Sequence, residues 1–343
     1  MLAVVTTALA GLAGVPAVGR AAEPNQPFAG GVPEWLYSAG VSLNRALQQG
    51  SVLFESASTL GSSDPACALT VPRSELKMTL RGCSVIASET GTQPDPVPFW
   101  GEIDCADDSR HEQLSNGGDP HRQASGIPQE DASLRRLTVL DGDDLYGERC
   151  ELGENEHRNG SVDFYREGVR RATFVSLRLP SSFPLDSSEW QNVLQMKQSQ
   201  PADNGGGTPV LSLKAFDGEW MLFHSDPGPT DMDYPLWSAP AQTGRWTRFA
   251  FDVTYSQDPD RGSVMVYADL NGDLDFDDSN ERSARFHTNT LKAETEGTED
   301  DGLAGGDSIP SHLRAGIYHN TDIDCPEPSG CSVEIDNVQV LAP

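Results

Sequence analysis

Basic residues are scarce in this chain. Its 343 residues include 24 Lys and Arg against 52 Asp and Glu, which gives a formal net charge of −28. So acidic a surface repels nucleic acid and anionic membranes, and we expect neither as a partner. It also means that an anionic substrate must be bound by a local cluster of basic side chains.

Other signals are missing as well. The cysteines show no Cys-x-x-Cys or Cys-x-x-His spacing that would indicate zinc. The apolar run at residues 2–18 is too short to span a bilayer. Small residues around Ala21 and Ala22 follow it, which is typical of a signal peptide at residues 1–22, although no basic residue precedes the run. We therefore expect a secreted, extracellular protein; the alternative is a buried helix of the mature chain.

The six cysteines form an even set, which favours disulfides in an exported chain. Cys325 and Cys331 flank Pro-Glu-Pro-Ser-Gly and are expected to close a small loop. Cys67–Cys83 and Cys105–Cys150 are the simplest remaining pairs, although the sequence leaves other pairings open.

Short apolar segments separated by Gly, Pro, Asn and Asp clusters run from about Val97 to the end, with no long amphipathic helix between them. This pattern predicts an all-β domain at residues 97–343, a concanavalin-like β-jelly roll sandwich of two antiparallel sheets. Residues 23–96 are predicted to be an irregular N-terminal extension and linker. The predicted strands are Leu134–Leu140, Tyr146–Leu152, Ser161–Tyr165, Ala172–Leu179, Asn192–Lys197, Val210–Ala215, Glu219–His224, Arg245–Thr254, Ser263–Asp269, Leu313–Tyr318 and Val333–Leu341.

Three of these strands have one apolar and one polar face, because side chains alternate along a strand. Together the polar faces suit an anionic, hydroxyl-rich ligand. They carry Arg149 and Glu151, then Gln195 and Lys197 with Val193, then Arg314, Gly316 and Tyr318.

Two Gly-rich stretches, Pro201–Thr208 and Leu291–Ser308, are predicted loops. Each is either a solvated connector or a mobile flap over a cleft.

Four motifs occur in order: Gly-Glu-Arg-Cys-Glu-Leu at 147–152, Trp190–Gln198, Thr243–Trp246 and Arg314–Tyr318. Together they resemble the heparin lyase I-like polysaccharide lyases, a group similar in plan to the glucuronan and alginate lyase jelly rolls. The resemblance implies an enzyme that binds acidic polysaccharide on a concave sheet face and cleaves it by β-elimination without a required cofactor.

The resemblance also implies roles for single residues. Arg149 and Gln195 would stabilise the enolate-like intermediate at the uronate carboxylate. Tyr318 would protonate the leaving oxygen, and could also accept the C5 proton as phenolate. Arg314 would bind the carboxylate or favour the phenolate by its charge.

The base is the point of departure from these families, which place a His two residues after the strand Gln, where this chain has Lys197. Lys197 could act as the base in its neutral form, or bind a carboxylate while Tyr318 makes both proton transfers. A third reading is a site that binds without cleaving. His157, His224 and His287 could reach a cleft from elsewhere, but each is more readily a surface or packing histidine.

Three further residues are candidate substrate ligands: Glu151, Arg166 and Arg170. Glu151 and Arg149 have a structural alternative as an ion pair on the sheet face. Arg166 and Arg170, with Arg171, are a basic cluster that either extends a polyuronate subsite or pairs with local acids.

Asp269, Asn271 and Asp273 have the alternate spacing of a calcium loop. Leu274 stands where an EF-hand needs Gly, and Asn280 stands at the twelfth position in place of Glu. The prediction is a structural calcium ion; the alternative is an acidic β-hairpin turn.

The sequence therefore predicts a secreted, monomeric lyase that acts on a uronic-acid polysaccharide. Its negative charge is easier to reconcile with glucuronan or alginate than with heparin. The competing function is a non-catalytic carbohydrate-binding module with the same fold. A glycoside hydrolase comes third, because Glu151 has no evident second carboxylate in the sequence.

Overall fold

The computed structural model describes residues 84–89, 99–115, 133–154, 165–198, 208–225, 233–276, 278–293 and 305–342. Within them the chain is almost entirely β, and the helical element is one 3₁₀ turn, Asp108–Arg110. No helix in these ranges is long and apolar enough to cross a membrane. The strands are β1 (Ser84–Glu89), β2 (Trp100–Cys105), β3 (His111–Ser115), β4 (Ser133–Val139), β5 (Arg149–Glu154), β6 (Arg170–Arg178), β7 (Gln191–Gln198), β8 (Leu211–Phe216), β9 (Glu219–Ser225), β10 (Asp233–Pro240), β11 (Trp246–Thr254), β12 (Ser263–Asp269), β13 (Phe286–His287), β14 (Lys292–Ala293), β15 (Ser308–Ile309), β16 (Ser311–His319) and β17 (Cys331–Ala342).

Two large antiparallel sheets make up most of the described residues, which confirms the predicted sandwich. The larger sheet has the order β13-β12-β11-β6-β17-β4-β3, with β1 added against β17. The smaller sheet has the order β10-β9-β8-β7-β16-β5-β2. Strands far apart in sequence are therefore neighbours, and β16 lies between β7 and β5.

The core lies between the sheets, where one face of each strand is apolar. Cys150, Leu194 and Ile317 of the smaller sheet share one cluster with Val175 and Phe249 of the larger sheet, and none is more than 1% exposed. The three strands that were predicted to have one polar and one apolar face thus bury the apolar face in the core.

Val193 is an exception to simple alternation. It is fully buried in the core cluster, so the prediction that it shares the polar face of Gln195 is wrong. The cause is a register shift between Asn192 and Leu194 in the pairing of β7 with β8. Such a bulge lets two consecutive residues face the core, and it returns Asn192 to the polar side.

The larger sheet begins earlier than the predicted domain boundary at residue 97. Ser84 pairs with Ala342 and Val85 pairs with Leu341, so β1 joins the sheet although the sequence suggested an irregular extension there. Residues 1–83, with the predicted signal peptide and the pair Cys67–Cys83, lie outside the described residues.

Two predicted disulfides are confirmed. Cys105–Cys150 joins the adjacent strands β2 and β5, and Cys325–Cys331 closes the small loop before β17. The first bridge ties the edge of the smaller sheet to the strand that carries Arg149.

The two predicted loops lie mostly outside the described residues. The ends of Leu291–Ser308 are seen to pair, Lys292 with Ile309 and Ala293 with Ser308, as the ribbon β14–β15. The flap interpretation therefore stays a prediction.

Candidate active site

Polar side chains cover the outer face of the smaller sheet. Tyr318 of β16 is the cross-strand partner of Arg149 on β5 and of Asn192 on β7, and Arg314 is the partner of Gln195. Because cross-strand partners point to the same side of a sheet, these side chains share one face. We call this surface the polar face; it carries Arg149, Glu151, Gln195, Lys197, Arg314 and Tyr318.

Gly316 allows β16 to approach β5 closely at this point. A Cβ there would lie 2.2 Å from the carbonyl oxygen of Cys150 and 2.7 Å from the Cα of Glu151. Its φ of +154° also lies in a range that residues with a side chain rarely adopt. A glycine between Arg314 and Tyr318 is thus a packing requirement.

Glu151 lies at the centre of the polar face and is fully buried. Its carboxylate accepts a hydrogen bond from Nε2 of Gln195. Its Oε2 lies 3.8 Å from Arg149 Nη1 and 3.9 Å from Arg314 Nη1. Since a carboxylate only accepts, it fixes the nitrogen of the Gln195 amide toward itself. Glu151 is therefore placed to orient the other polar side chains and is shielded from a ligand.

Tyr318 is enclosed on three sides. The guanidinium carbon of Arg149 lies 4.0 Å from the centre of its ring. Trp190 packs edge-on against it, with ring centres 4.9 Å apart. Gly147, at φ +99°, supports the third side, where a Cβ would lie 3.0 Å from Tyr318 Cε2. The phenol ring is thereby held in one orientation beside a permanent cation.

Arg149 is itself anchored by the loop before β5. Its Nη2 donates to the carbonyl oxygen of Tyr146 at 2.8 Å. The 3.8 Å between Arg149 Nη1 and Glu151 Oε2 is too long for a hydrogen bond. The guanidinium thus keeps donor capacity that a substrate carboxylate could use.

Arg314 is engaged by acids of the protein. Its Nη1 donates to Asp104 and its Nη2 donates to Glu102 at 2.8 Å, both on β2. Burial lowers the pKa of Arg314, but the carboxylates of Glu151, Asp104 and Glu102 offset this and raise it above its ordinary value. Arg314 therefore secures the edge strand, and these contacts do not favour direct carboxylate binding.

Lys197 is half-buried and follows Gln195 on the polar face. Its cross-strand partner is His312, a buried residue that sequence reasoning missed. Nε2 of His312 accepts a hydrogen bond from Nε of Arg314 at 3.1 Å, which assigns the ring proton to Nδ1. His312 lies two residues before Arg314 on β16, so the two side chains share a face; this spacing was the signal that could have found it.

Two of the other candidate histidines are placed away from the polar face. Nε2 of His224 lies 3.0 Å from the carbonyl oxygen of Asn289 and 3.0 Å from the hydroxyl of Thr288. His287 belongs to β13 of the larger sheet. His157 lies outside the described residues.

Arg170 does not join the polar face. It lies on β6 of the larger sheet and donates to Asp252 through Nε and Nη2, both at 2.7 Å. The alternative of local acid pairing is thus the one observed for it. Arg166 is exposed and follows Tyr165, whose backbone bridges to Ser311 at the start of β16. Arg166 is therefore near the start of β16, which pairs with the Lys197 end of β7.

The polar face continues across β8 to β10 with residues that the sequence did not single out. Lys214, the partner of Asn192, binds Asp233 at 2.6 Å and lies 4.3 Å from the ring centre of Phe223. The alternation of Ser212 and Lys214 with buried Leu213 was the available signal.

The predicted calcium residues lie on the larger sheet. One carboxylate oxygen from each of Asp269, Asp273 and Glu281 lies within 4.8 Å of the others. Asn271 lies beside this group: its Nδ2 donates to Asp273 at 2.8 Å and to Asp278 at 2.9 Å. Burial, and then the charges of Asp269 and Asp273, raise the pKa of Glu281 to about 7.

A two-sheet jelly roll hosts many unrelated functions, so the fold alone does not define what this site does. The family model described as "Polysaccharide lyase" matches residues 106–339, more than half of the chain. The chain belongs to this polysaccharide lyase family and is a lyase. The match does not single out the heparin lyase I-like group. A search of curated proteins finds no match.

Solved structures resemble this chain to different degrees. An endo-β-1,4-glucuronan lyase from the fungus Trichoderma reesei has a TM-score of 0.51 at 14% identity, over 76% of this chain and 96% of that one. A family 7 alginate lyase in complex with substrate has a TM-score of 0.39 at 13% identity, over 61% of this chain and 77% of that one. A GH131 β-glucanase catalytic domain from Podospora anserina has a TM-score of 0.43 at 10% identity, over 74% of this chain and 91% of that one. Of these three, the first shows a shared fold.

Proposed function

We propose that this lyase cleaves a uronic-acid polysaccharide by β-elimination on the polar face. The observation that carries the proposal is one continuous set of contacts, from Tyr318 to Arg149, from Arg149 to Glu151, and from Glu151 to Gln195. A phenol, a guanidinium and an amide thus lie side by side, which supports the proposal.

The proposed reaction follows from that arrangement. A base removes the C5 proton of a uronate, and the electron pair is delocalised into the neighbouring carboxylate. Arg149 and Gln195 donate hydrogen bonds to the carboxylate oxygens as negative charge builds up there. The C4–O4 bond then breaks, a C4=C5 double bond forms, and the hydroxyl of Tyr318 gives its proton to O4.

We further propose that Tyr318 carries out both proton transfers and that Lys197 binds a carboxylate. The positive charge of Arg149, 4.0 Å from the ring centre, would stabilise negative charge that develops on the phenol oxygen. The competing assignment, in which Lys197 is the base, is favoured by its place two residues after Gln195 on the same face.

Glucuronan and alginate are the substrates that we favour. Arg314 is already paired with Glu102, and Lys214 with Asp233, so two cations of the polar face are balanced by protein acids. A heavily sulfated chain would need more uncompensated positive charge than this, within a protein of net charge −28.

We also propose that the protein acts outside the cell. The two described disulfides support this, since such bridges persist in oxidising compartments. Mass spectrometry of the protein from culture medium would test it by locating the mature N-terminus near Ala22.

The test of the function is ultraviolet absorbance of the unsaturated uronate, measured with glucuronan, alginate, pectate, hyaluronan and heparin. We expect a rise with one polymer and a loss of about 100-fold or more in Tyr318→Phe, the size of a general acid–base contribution. Tyr234→Phe is the matched control, because that tyrosine is exposed on the edge strand β10.

Two outcomes would contradict the proposal. Full activity in Tyr318→Phe would remove the assigned proton donor. No absorbance change with any polymer, together with retardation of one polymer in an affinity gel, would favour a site that binds without cleaving.

A further inference from the structure

A second cluster of acidic side chains lies on the larger sheet, on the segment that follows β12. Asp269 is the last residue of β12 and is fully buried, and Glu281 is fully buried as well. Phe276, from the same segment, packs on Phe174 and Ala250 in a small apolar cluster of its own. The segment therefore folds over the larger sheet, not over the polar face.

The backbone of the segment leaves one carboxylate oxygen of Glu281 unused. Its Oε1 accepts hydrogen bonds from the backbone N–H groups of Leu270 at 2.9 Å and Asn271 at 3.3 Å. Its Oε2 is buried and has no hydrogen-bond partner among the described residues. A buried carboxylate oxygen without a donor is unfavourable unless a cation or solvent satisfies it.

The type of ligand selects among cations. One oxygen from each of Asp269, Asp273 and Glu281 lies within 4.8 Å of the other two. Ca²⁺ accepts a flexible set of carboxylate oxygens, whereas Mg²⁺ demands a near-ideal octahedron and keeps several waters. An all-oxygen carboxylate set also disfavours zinc.

We propose that Asp269, Asp273 and Glu281 bind one Ca²⁺ ion that fixes the segment from β12 to Glu281 on the larger sheet. The site adds Glu281 to Asp269 and Asp273 of the predicted loop motif. The ion would hold Phe276 against Phe174 and stabilise the fold. It would take no part in the elimination, because the polar face belongs to the other sheet.

The test uses the full chain, stripped of metal with EDTA and dialysed, without polysaccharide because polyuronates bind calcium themselves. Isothermal titration with CaCl₂ is expected to show one tight site per chain and with MgCl₂ much weaker binding. Calcium is expected to raise the Tm by several degrees in calorimetry, since an ion that binds only the folded state stabilises it.

Glu281→Gln is expected to abolish both the tight site and the Tm shift. It removes one of three clustered charges, so in EDTA its Tm should equal or exceed that of the wild type, which shows that the variant folds. Asp273→Asn, at an exposed position, should weaken calcium binding at least tenfold. Glu112→Gln, on β3 of the same sheet, is the control and should behave as the wild type.

A wild-type Tm that calcium leaves unchanged would overturn the proposal. So would a calcium shift that survives in Glu281→Gln. Neither result depends on the elimination reaction, so the calcium site and the proposed function can fail separately.

Discussion

At the scale of single residues, the polar face is organised by a side chain that a substrate cannot reach. Glu151 orients Gln195 and lies between the guanidiniums of Arg149 and Arg314. Removing one partner of such a buried charged set typically costs about 3–5 kcal/mol, because the remaining charges are left uncompensated. Glu151 is therefore better described as a positioning residue than as the substrate ligand that the sequence suggested.

The role of Lys197 can be tested at the scale of a single side chain. We expect Lys197→Arg to keep kcat within about tenfold of the wild type, because Arg retains the charge that binds a carboxylate while Tyr318 transfers the protons. The measurement is kcat and KM from the absorbance assay. Lys214→Arg is the matched control, since that lysine already binds Asp233.

A fall in kcat of about 100-fold or more in Lys197→Arg would contradict this assignment, because a guanidinium cannot serve as the base. Recovery of activity in Lys197→His would then identify Lys197 as the base, and Tyr318 would keep only the donor role.

At the scale of the strands, the position of the site depends on how closely β16 approaches β5. Tyr318 meets Arg149, and Arg314 meets Gly153, only in the observed register. The bulge in β7 likewise brings Asn192 to the polar face and sends Val193 into the core. Local alternation predicted the faces of β5 and β16 correctly, and it failed in β7 because a bulge is a property of a strand pair.

Gly316→Ala is expected to destabilise the protein by about 2–4 kcal/mol and to lower activity, since its Cβ would overlap the backbone of Cys150 and Glu151. Denaturant unfolding measures the stability. Gly218→Ala is the control for backbone strain alone: its φ is +80°, and a Cβ there meets nothing within 4 Å. It should cost about 1 kcal/mol.

Equal losses in the two variants would show that the contact between β16 and β5 is looser than the packing indicates. Loss of stability in Gly316→Ala with full activity would show that the register of Tyr318 and Arg149 tolerates a shift.

At the scale of the whole molecule, a net charge of −28 opposes the approach of a polyanion. We expect kcat/KM for a polyuronate to rise as NaCl increases from about 10 mM to about 150 mM, because the Debye length falls from about 30 Å to about 8 Å. A short oligosaccharide of the same uronate is the control and should show a smaller rise. A steady decrease with salt would mean that local attraction by Arg149 and Lys197 outweighs the total charge.

The sequence by itself determined the fold class and the types of residue on the polar face. Alternating apolar residues predicted an all-β sandwich. Short motifs indicated a polysaccharide lyase but not the group within it, and they put Arg149, Gln195 and Tyr318 on one polar face. The missed elements, such as the edge strand β10 with Pro235, lack that alternation, since proline is tolerated mainly at sheet edges.

Only the tertiary structure decided the partner of each charge. Arg314, a predicted substrate ligand, binds Asp104 and Glu102 of β2, a strand that the sequence pattern did not reveal. Arg170 is likewise paired with Asp252 on the other sheet. Ion pairs form between strands far apart along the chain, and their geometry depends on register and sheet order, which local alternation does not encode.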